Sequence, residues 1–433
     1  MRKIDISGYD TSTTALGELV ILLNNLHHLP RLSELYLDAL GMGNQECQLL
    51  ATALKYFDKL RILWLTSNSL GHGISELAKH LHRVPHLERL FLKDTQIGEE
   101  EVTALALSLK NVTQLSALGL SENPLGDGVS ELAKHLHSVP HLERLLLNDT
   151  QMGEEEVTAL AHSLKSVTQL SALALSNNLL GDGVSELAKH LHSVPHLEEL
   201  YLKDTQMGEE EVTALAHSLK NVTQLSKLEL SENPLGHGVS ELAKHLHSVP
   251  HLFYLDLAGT QMGEEEVTAL AHVLVYVPEL KYLKLDKNPL GRGVTELIKC
   301  LRSSPPLLSE LRLEQVQLTK KEATELCALA DEKKGDFWKS DYDVSFSFVL
   351  CIINACNTQE LPGGRKRTVL QRGCVAILTH TTKRHIFVKE NLSNSSPAVT
   401  RIANVFCVSL HVLQGGNRLQ LSYSVNNITT SVD

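Results

Sequence analysis

Aromatic residues are scarce in this chain, 4% of its 433 positions, so its interior has to be packed by aliphatic side chains. The few rings can be located one by one. No apolar run reaches a membrane-spanning length, and no basic-then-apolar leader opens the chain at Met1. Cytoplasmic localisation, with no membrane partner, is therefore expected. The seven cysteines, Cys47, Cys300, Cys327, Cys351, Cys356, Cys374 and Cys407, are odd in number and never spaced as CxxC. That argues against both a disulfide framework and a zinc cluster, and reduced thiols are expected. No GxxxxGK[ST] phosphate loop occurs, no nucleophile is flanked by a base, and no paired carboxylates stand apart from the rest of the pattern. The expectation is a chain that is not an enzyme, with no cofactor, no metal and no nucleic-acid partner. Sequons such as Asn111-Val-Thr and Asn221-Val-Thr matter only in a secretory compartment and read as copied sequence.

What the chain has in abundance is one unit, written almost identically several times. Its clearest copy runs from Leu142 to His196, LERLLLNDTQMGEEEVTALAHSLKSVTQLSALALSNNLLGDGVSELAKHLHSVPH. Each half opens with the same LxxLxL frame, Leu142, Leu145 and Leu147 in the first and Leu170, Leu173 and Leu175 in the second. The opening leucines fall at Leu32, Leu60, Leu87, Leu115, Leu142, Leu170, Leu197, Leu225, Leu252, Leu280 and Leu308, in steps of 27 or 28 residues. A fixed period in this range predicts a stacked solenoid. In each half Leu145 and its equivalents alternate with outward residues, which predicts a short strand. In EEEVTALAHSLK, Val157, Leu160, Ala161 and Leu164 recur at helical spacing behind glutamates favoured at a helix start, which predicts a return helix. Neither element can bury its apolar side alone, and stacked copies merge those sides into one core.

Three residues beyond the last frame leucine the chain alternates Asn68, Thr95, Asn123, Thr150, Asn178, Thr205, Asn233, Thr260 and Asn288. Both residue types can satisfy the backbone of neighbouring turns, so a structural polar ladder is expected. Leu40 and Val316 hold the same position at the two ends, which places the last repeat near Leu308 to Lys334. At the other end MRKIDIS reads as a strand with Met1, Ile4 and Ile6 in the frame. No polar cap precedes it. The favoured expectation is an internal fragment of a longer reading frame, and the alternative is an improvised cap.

The pattern LxxLxLxxN/TxL with a helical return of this length resembles the ribonuclease-inhibitor-type leucine-rich repeats. The alternating long units are similar to the repeat region of intracellular NACHT-leucine-rich-repeat (NOD-like) innate immune receptors, over residues 1–334. The resemblance implies an α/β leucine-rich-repeat solenoid, a horseshoe of eleven to twelve repeats, with parallel strands on the concave face and helices on the convex face. The sequence carries no nucleotide-binding module or death-fold domain, so signalling and ATP binding do not carry over. It also lacks the cysteine richness of ribonuclease inhibitors.

Residues 335–433 break the pattern. The frame vanishes, and apolar clusters SFSFVLCII (Ser345 to Ile353), CVAIL (Cys374 to Leu378) and VFCVSLHVL (Val405 to Leu413) are separated by loop-like PGGRKR and NSSP. Ten Lys/Arg stand against six Asp/Glu in residues 336–433, whereas the repeats are acidic. The expected alternatives are a small β domain, a disordered extension, or mispredicted coding sequence.

Three recurring clusters invite chemistry. KHLHSVPH brings His135, His137 and His141 together, but helical residues two apart point about 200° apart at roughly 100° per residue, and Pro140 breaks the helix before His141. Solvated helix-end histidines are expected there. The glutamates at Glu99 to Glu101, Glu154 to Glu156, Glu209 to Glu211 and Glu264 to Glu266 would form an acidic band able to attract a basic partner or calcium, yet they read as helix-start residues on a solvated rim. The glycines of Gly126 to Gly128 and their relatives read as turn glycines.

The concave face carries a sharper signal. Because the copies are nearly identical, their differences stand against a fixed background. One strand position reads Phe91, Leu146, Tyr201, Asp256 in one half-unit and Gly119, Ala174, Glu229, Lys284 in the other. Its neighbour reads Arg89, Arg144, Glu199, Tyr254 and Ala117, Ala172, Lys227, Tyr282, while GEEEVTALA and GVSELAKHL hardly change. Random drift would scatter differences evenly. Tyr36, Trp64, Phe91, Tyr201, Tyr254 and Tyr282 all occupy strand positions pointing away from the leucines, and exposed rings beside arginine are what binding hot spots are made of. Eleven strands about 4.8 Å apart give an inner surface on the order of 50 Å long, enough for a protein domain. The expected ligand-binding residues are Tyr36, Trp64, Arg89, Phe91, Arg144, Leu146, Glu199, Tyr201, Tyr254 and Tyr282. The expected function is recognition of a protein ligand, as the sensing or autoinhibitory part of a NACHT-type receptor or a stand-alone relative. The alternatives are a leucine-rich-repeat activator of a small GTPase, disfavoured by the basic tail, and a cytoskeletal scaffold.

Overall fold

The computed structural model describes residues 3–7, 21, 31–303, 308–337, 349–351, 357–361, 365–369, 409–413 and 420–424. The chain divides into two units, Met1–Leu283 with Lys287–Leu307 and Lys284–Asp286 with Leu308–Asp433.

The first unit is built on three-residue strands: β1 (Lys3–Asp5), β2 (Glu34–Tyr36), β3 (Ile62–Trp64), β4 (Arg89–Phe91), β5 (Ala117–Gly119), β6 (Arg144–Leu146), β7 (Ala172–Ala174), β8 (Glu199–Tyr201), β9 (Lys227–Glu229), β10 (Tyr254–Asp256) and β11 (Tyr282–Lys284), the last of which contributes Tyr282 and Leu283 to it. They hydrogen-bond in chain order. Equivalent repeat positions face each other across parallel pairs, Leu90 opposite Leu118, Leu118 opposite Leu145 and Leu145 opposite Leu173. Each central leucine points inward beside the other frame leucines, and Leu142, Leu145 and Leu147 are completely buried. At about 1.5–3 kcal/mol for each fully buried aliphatic side chain, this stacked column is the dominant stabilising term.

Between strands run helices of two alternating kinds. The longer kind comprises α1 (Asn44–Ala53), α3 (Glu99–Ser108), α5 (Glu154–Ser163), α7 (Glu209–Ser218) and α9 (Glu264–Val273), and the shorter kind α2 (Gly73–His80), α4 (Gly128–His135), α6 (Gly183–His190) and α8 (Gly238–His245), with α10 (Gly293–Ser303) their longer relative. In the GEEE helices the third glutamate is not on a solvated rim. Glu101, Glu156, Glu211 and Glu266 are buried and accept hydrogen bonds from the N–H of Gly98, Gly153, Gly208 and Gly263 at 2.9–3.0 Å. Each satisfies a backbone donor that the first helical turn leaves without a partner. Only the first two glutamates of each block face solvent.

The two glycines of the GDG turn have different tasks. Gly126 adopts φ +46°, a left-handed turn conformation. Gly128 already begins α4, and a Cβ there would strike Val102 Cγ1 and the backbone of Glu99, so it serves close packing of α4 on α3. The histidine run differs too. α4 stops at His135 and tightens into a 3-10 turn over Leu136–Ser138, well before Pro140. His135 and His137 hydrogen-bond to the carbonyls of Glu131 and Lys134 at 3.0 and 2.8 Å. Their ring centroids are 6.2 Å apart.

The turn after each strand is tied by a buried side chain. Asn123 donates to the carbonyls of Leu92 (2.7 Å) and Leu120 (2.8 Å) and accepts from the N–H of Thr95 (2.9 Å) and Ile97 (3.2 Å). Asn68, Asn178 and Asn233 do the same in their repeats. Thr95, Thr150, Thr205 and Thr260 are fully buried, and each hydroxyl donates to the carbonyl of the leucine that directly follows the strand, such as Leu92. Asn288 accepts from the Thr260 N–H at 2.9 Å.

In the second unit β12 (Glu310–Arg312) pairs in parallel with β13 (Val349–Cys351). Between them lies α11 (Lys320–Phe337), which runs past Lys334. Thr319 and Glu322 cap α11 reciprocally, with Glu322 N–H donating to Thr319 Oγ1 at 3.2 Å and Thr319 N–H to Glu322 Oε2 at 2.8 Å. Two antiparallel hairpins follow, β14 (Asn357–Leu361) with β15 (Arg365–Val369), and β16 (Ser409–Leu413) with β17 (Gln420–Ser424). The expected PGGRKR loop is therefore shorter, because Arg365 to Arg367 already belong to β15, whose backbone groups pair with β14. CVAIL and NSSP lie outside the described residues. Among the described residues no helix is long and apolar enough to cross a membrane.

Candidate functional site

Because strand side chains alternate, the first and third residues of every three-residue strand emerge on the open side of the sheet. Register then aligns them into two rows. One reads Tyr36, Trp64, Phe91, Gly119, Leu146, Ala174, Tyr201, Glu229 and Asp256, the other Glu34, Ile62, Arg89, Ala117, Arg144, Ala172, Glu199, Lys227 and Tyr254.

The first three rings of the first row are in contact. Tyr36 and Trp64 stack with centroids 5.8 Å apart, and Trp64 and Phe91 lie at 4.1 Å. Phe91 then leans over Gly119, whose missing side chain makes the space. Lys3 Nζ sits 4.4 Å from the Tyr36 centroid. Burial raises the Tyr36 hydroxyl pKa, and Glu34, which accepts its hydrogen bond at 3.4 Å, raises it further. This end of the face is a continuous aromatic strip with neutral phenol. Arg89 is exposed beside it.

A second cluster lies further along. Arg144 reaches across β7, where Ala172 leaves room, and its Nη2 pairs with Glu199 Oε2 at 3.2 Å. Tyr201 donates to the same oxygen at 3.0 Å. Lys227 lies between two rings, 4.8 Å from the Tyr201 centroid and 4.9 Å from that of Tyr254. Tyr254 donates to Asp256 Oδ2 at 3.1 Å and lies 6.2 Å from Tyr282, which also meets Phe253 at 5.1 Å. Of the ten residues expected on this face, Tyr36, Trp64 and Phe91 form one group and Arg144, Glu199, Tyr201, Tyr254 and Tyr282 the other, with Leu146 half-buried on β6 between them. Lys227 was absent from that set. The signal for it was there, a cation in register between two tyrosine-bearing strands.

Side by side these features make a surface rather than a pocket: two half-buried aromatic groups, arginine and lysine among them, and small residues on β5 and β7 that hold the large ones apart. The strands that display it and the helices behind it repeat with a frame of leucines and a buried asparagine at each turn. The fold is a leucine-rich-repeat solenoid.

Comparison with known proteins agrees. No family model matches the chain. Bovine Tonsoku-like protein is 32% identical over 290 residues, covering 64% of this chain and 19% of that protein. Mouse NACHT, LRR and PYD domains-containing protein 12 is 31% identical over 335 residues, covering 75% of this chain and 32% of that protein. Pig ribonuclease inhibitor is 29% identical over 296 residues, covering 65% of this chain and 64% of that protein. Ribonuclease inhibitor and NACHT-LRR proteins are thus homologues of this leucine-rich-repeat chain, which spans less than a third of the Tonsoku-like and NACHT-LRR relatives and 64% of ribonuclease inhibitor.

Proposed function

We propose that this chain is a non-enzymatic protein-recognition module that docks a protein ligand on the open sheet face, as the sensing or autoinhibitory arm of a cytoplasmic NACHT-type immune receptor or a stand-alone relative. One observation carries the reading: among repeats whose helices are nearly constant, the differences gather in the two surface rows of the sheet, where rings and arginine concentrate. Selection on a ligand surface produces that distribution, and maintenance of the fold alone does not. The anchors are Trp64, Phe91, Arg144, Leu146 and Tyr201. Two of the homologues bear on the reading, one named as a NACHT-LRR protein and one for inhibiting ribonuclease.

The test is capture of proteins from cell extract by the full chain, with bound species identified by mass spectrometry and their affinities measured. Alongside runs a variant combining Phe91→Ala, Arg144→Glu and Tyr201→Ala. Loss of about 2 kcal/mol or more for the three anchors together predicts a fall of at least roughly 30-fold with an unchanged melting profile. Equal affinity for the variant rejects the sheet face as the docking surface.

A further inference from the structure

We propose that the helices carry three binding sites for a divalent transition metal of the zinc class, one in each of the pairs α5–α6, α7–α8 and α9–α10. They lie on the face of the repeat opposite the sheet rows and do not depend on the function proposed for that face.

In the first pair His162 comes from α5 and Glu186 and His190 from α6, with ligand atoms all within 4.8 Å of one another. His162 Nε2 lies 3.3 Å from Glu186 Oε1, and His190 Nδ1 lies 3.4 Å from the same oxygen. The two imidazoles meet edge to face with centroids 4.8 Å apart. The next pair repeats the arrangement, with His217 Nε2 at 3.4 Å and His245 Nδ1 at 3.6 Å from Glu241 Oε1, and ring centroids at 4.7 Å. The third brings His272 Nε2 to 3.4 Å from Glu296 Oε1 and sets Cys300 where the second histidine stood.

Local sequence explains half of this. Glu186 and His190 are four apart on one helix and share a face. Packing of α5 on α6 supplies His162. Imidazole nitrogen, carboxylate oxygen and thiolate sulfur are the donors zinc takes, and three protein ligands with an open fourth position are a recurrent zinc arrangement. In tetrahedral zinc with bonds near 2.0–2.1 Å, ligand atoms stand about 3.4 Å apart. That spacing already separates each histidine from the carboxylate. The other oxygen, Glu186 Oε2, is held by Lys189 Nζ at 2.8 Å, and His190 Nδ1 also lies 3.0 Å from the Glu186 carbonyl. The lysine contact orients the carboxylate before the metal arrives, whereas the carbonyl contact uses the ligating nitrogen itself and is given up when His190 binds through Nδ1. His162 is 58% exposed, so the ion enters from solvent without opening the fold. Bound metal crosslinks two neighbouring helices and adds to the interfaces that hold a repeat array together.

The chain contains its own control. In α3–α4 the place of His162 is taken by Leu107, while Glu131 and His135 keep their 3.5 Å contact; in α1–α2 it is taken by Thr52, beside Glu76 and His80. The histidine is therefore not required for these helices to pack.

The experiment uses the full untagged chain titrated with Zn²⁺ by calorimetry, and with Co²⁺ followed by its visible absorption. The comparison is the triple variant His162→Leu, His217→Leu, His272→Leu, which copies the α3 solution. The proposal expects three fewer ions bound by the triple variant than by the wild type, tetrahedral Co²⁺ bands that vanish with them, and a Zn²⁺-induced rise in melting temperature seen only in the wild type. Equal stoichiometry and affinity in both proteins, or no binding by the wild type at roughly 0.1 mM free metal, overturns it. Should the triple variant fail to fold in EDTA, Glu186→Gln, Glu241→Gln, Glu296→Gln is read by the same criteria.

Discussion

Phe91 owes its position to Gly119. A Cβ added to Gly119 would stand 2.6 Å from Phe91 Cδ1, closer than the ring can tolerate, and the ring in turn lies against Trp64 at 4.1 Å. The absence of a side chain on β5 therefore shapes the aromatic strip on β2 to β4.

Gly119→Ala tests that dependence, alanine being what β7 carries at the same register. The ring is half-buried, so the expected stability cost is small, about 1 kcal/mol. The emission of Trp64 should change, read in a Trp338→Phe background because the chain has 2 tryptophans. An unaltered spectrum would mean that Phe91 is not held by this contact.

Asn178 makes the converse point about the turns. Its Oδ1 accepts from the N–H of Thr150 (2.9 Å) and Met152 (3.1 Å), and its Nδ2 donates to the carbonyls of Leu147 (2.8 Å) and Leu175 (2.9 Å). Asn178→Ala strips partners from several buried backbone groups at once. With about 1–3 kcal/mol lost for each orphaned group, a destabilisation of about 3 kcal/mol or more is expected. Denaturant unfolding of the variant measures it, and a loss under about 1 kcal/mol would show that water replaces the amide.

The His237–Glu266 pair, 2.6 Å apart, ties the start of α8 to that of α9 and gives stability a pH dependence. The hydrogen bond to Glu266 raises the His237 pKa above 6.5, so its contribution is complete below that value and is lost as pH rises through the folded value. Burial tends to raise Glu266, but His237 and the backbone N–H groups outweigh it and hold the carboxyl below 4.5. Its share is complete above 4.5 and is lost as pH falls through the folded value. The pair is fully effective between pH 4.5 and 6.5. His237→Asp, which installs the residue that Asp127 and Asp182 place at this position, should lower the melting temperature most in that window and progressively less as pH rises beyond it. A pH-independent difference would exclude the pair as its source.

Much of this architecture was legible in the residues because both periods involved are local. A leucine at every second strand position and an apolar residue every third or fourth helical position are set by backbone geometry, and a step of 27 or 28 residues leaves room for one strand and one helix. Assignment of Tyr36, Trp64, Phe91 and Tyr201 to one surface row needed only the frame. Glu101 was misread as solvent-facing because nothing in GEEE separates a carboxylate that turns back onto Gly98 from its two neighbours. Gly128 was misread as a turn residue because the atoms it makes room for, Val102 and Glu99, belong to the preceding repeat.

The repeat type, the inward leucines and the rows of the sheet were determined by the sequence itself, since each follows from spacing along a single chain. Contacts between repeats were decided only in three dimensions. Arg144 finds Glu199 across an intervening strand, Lys227 settles between Tyr201 and Tyr254, and His162 meets Glu186 and His190 from another helix. Such partners stand 24 to 55 residues apart in the chain, and what joins them is the stacking of repeats. Periodicity defines the rows in which side chains stand, and packing selects which of them touch.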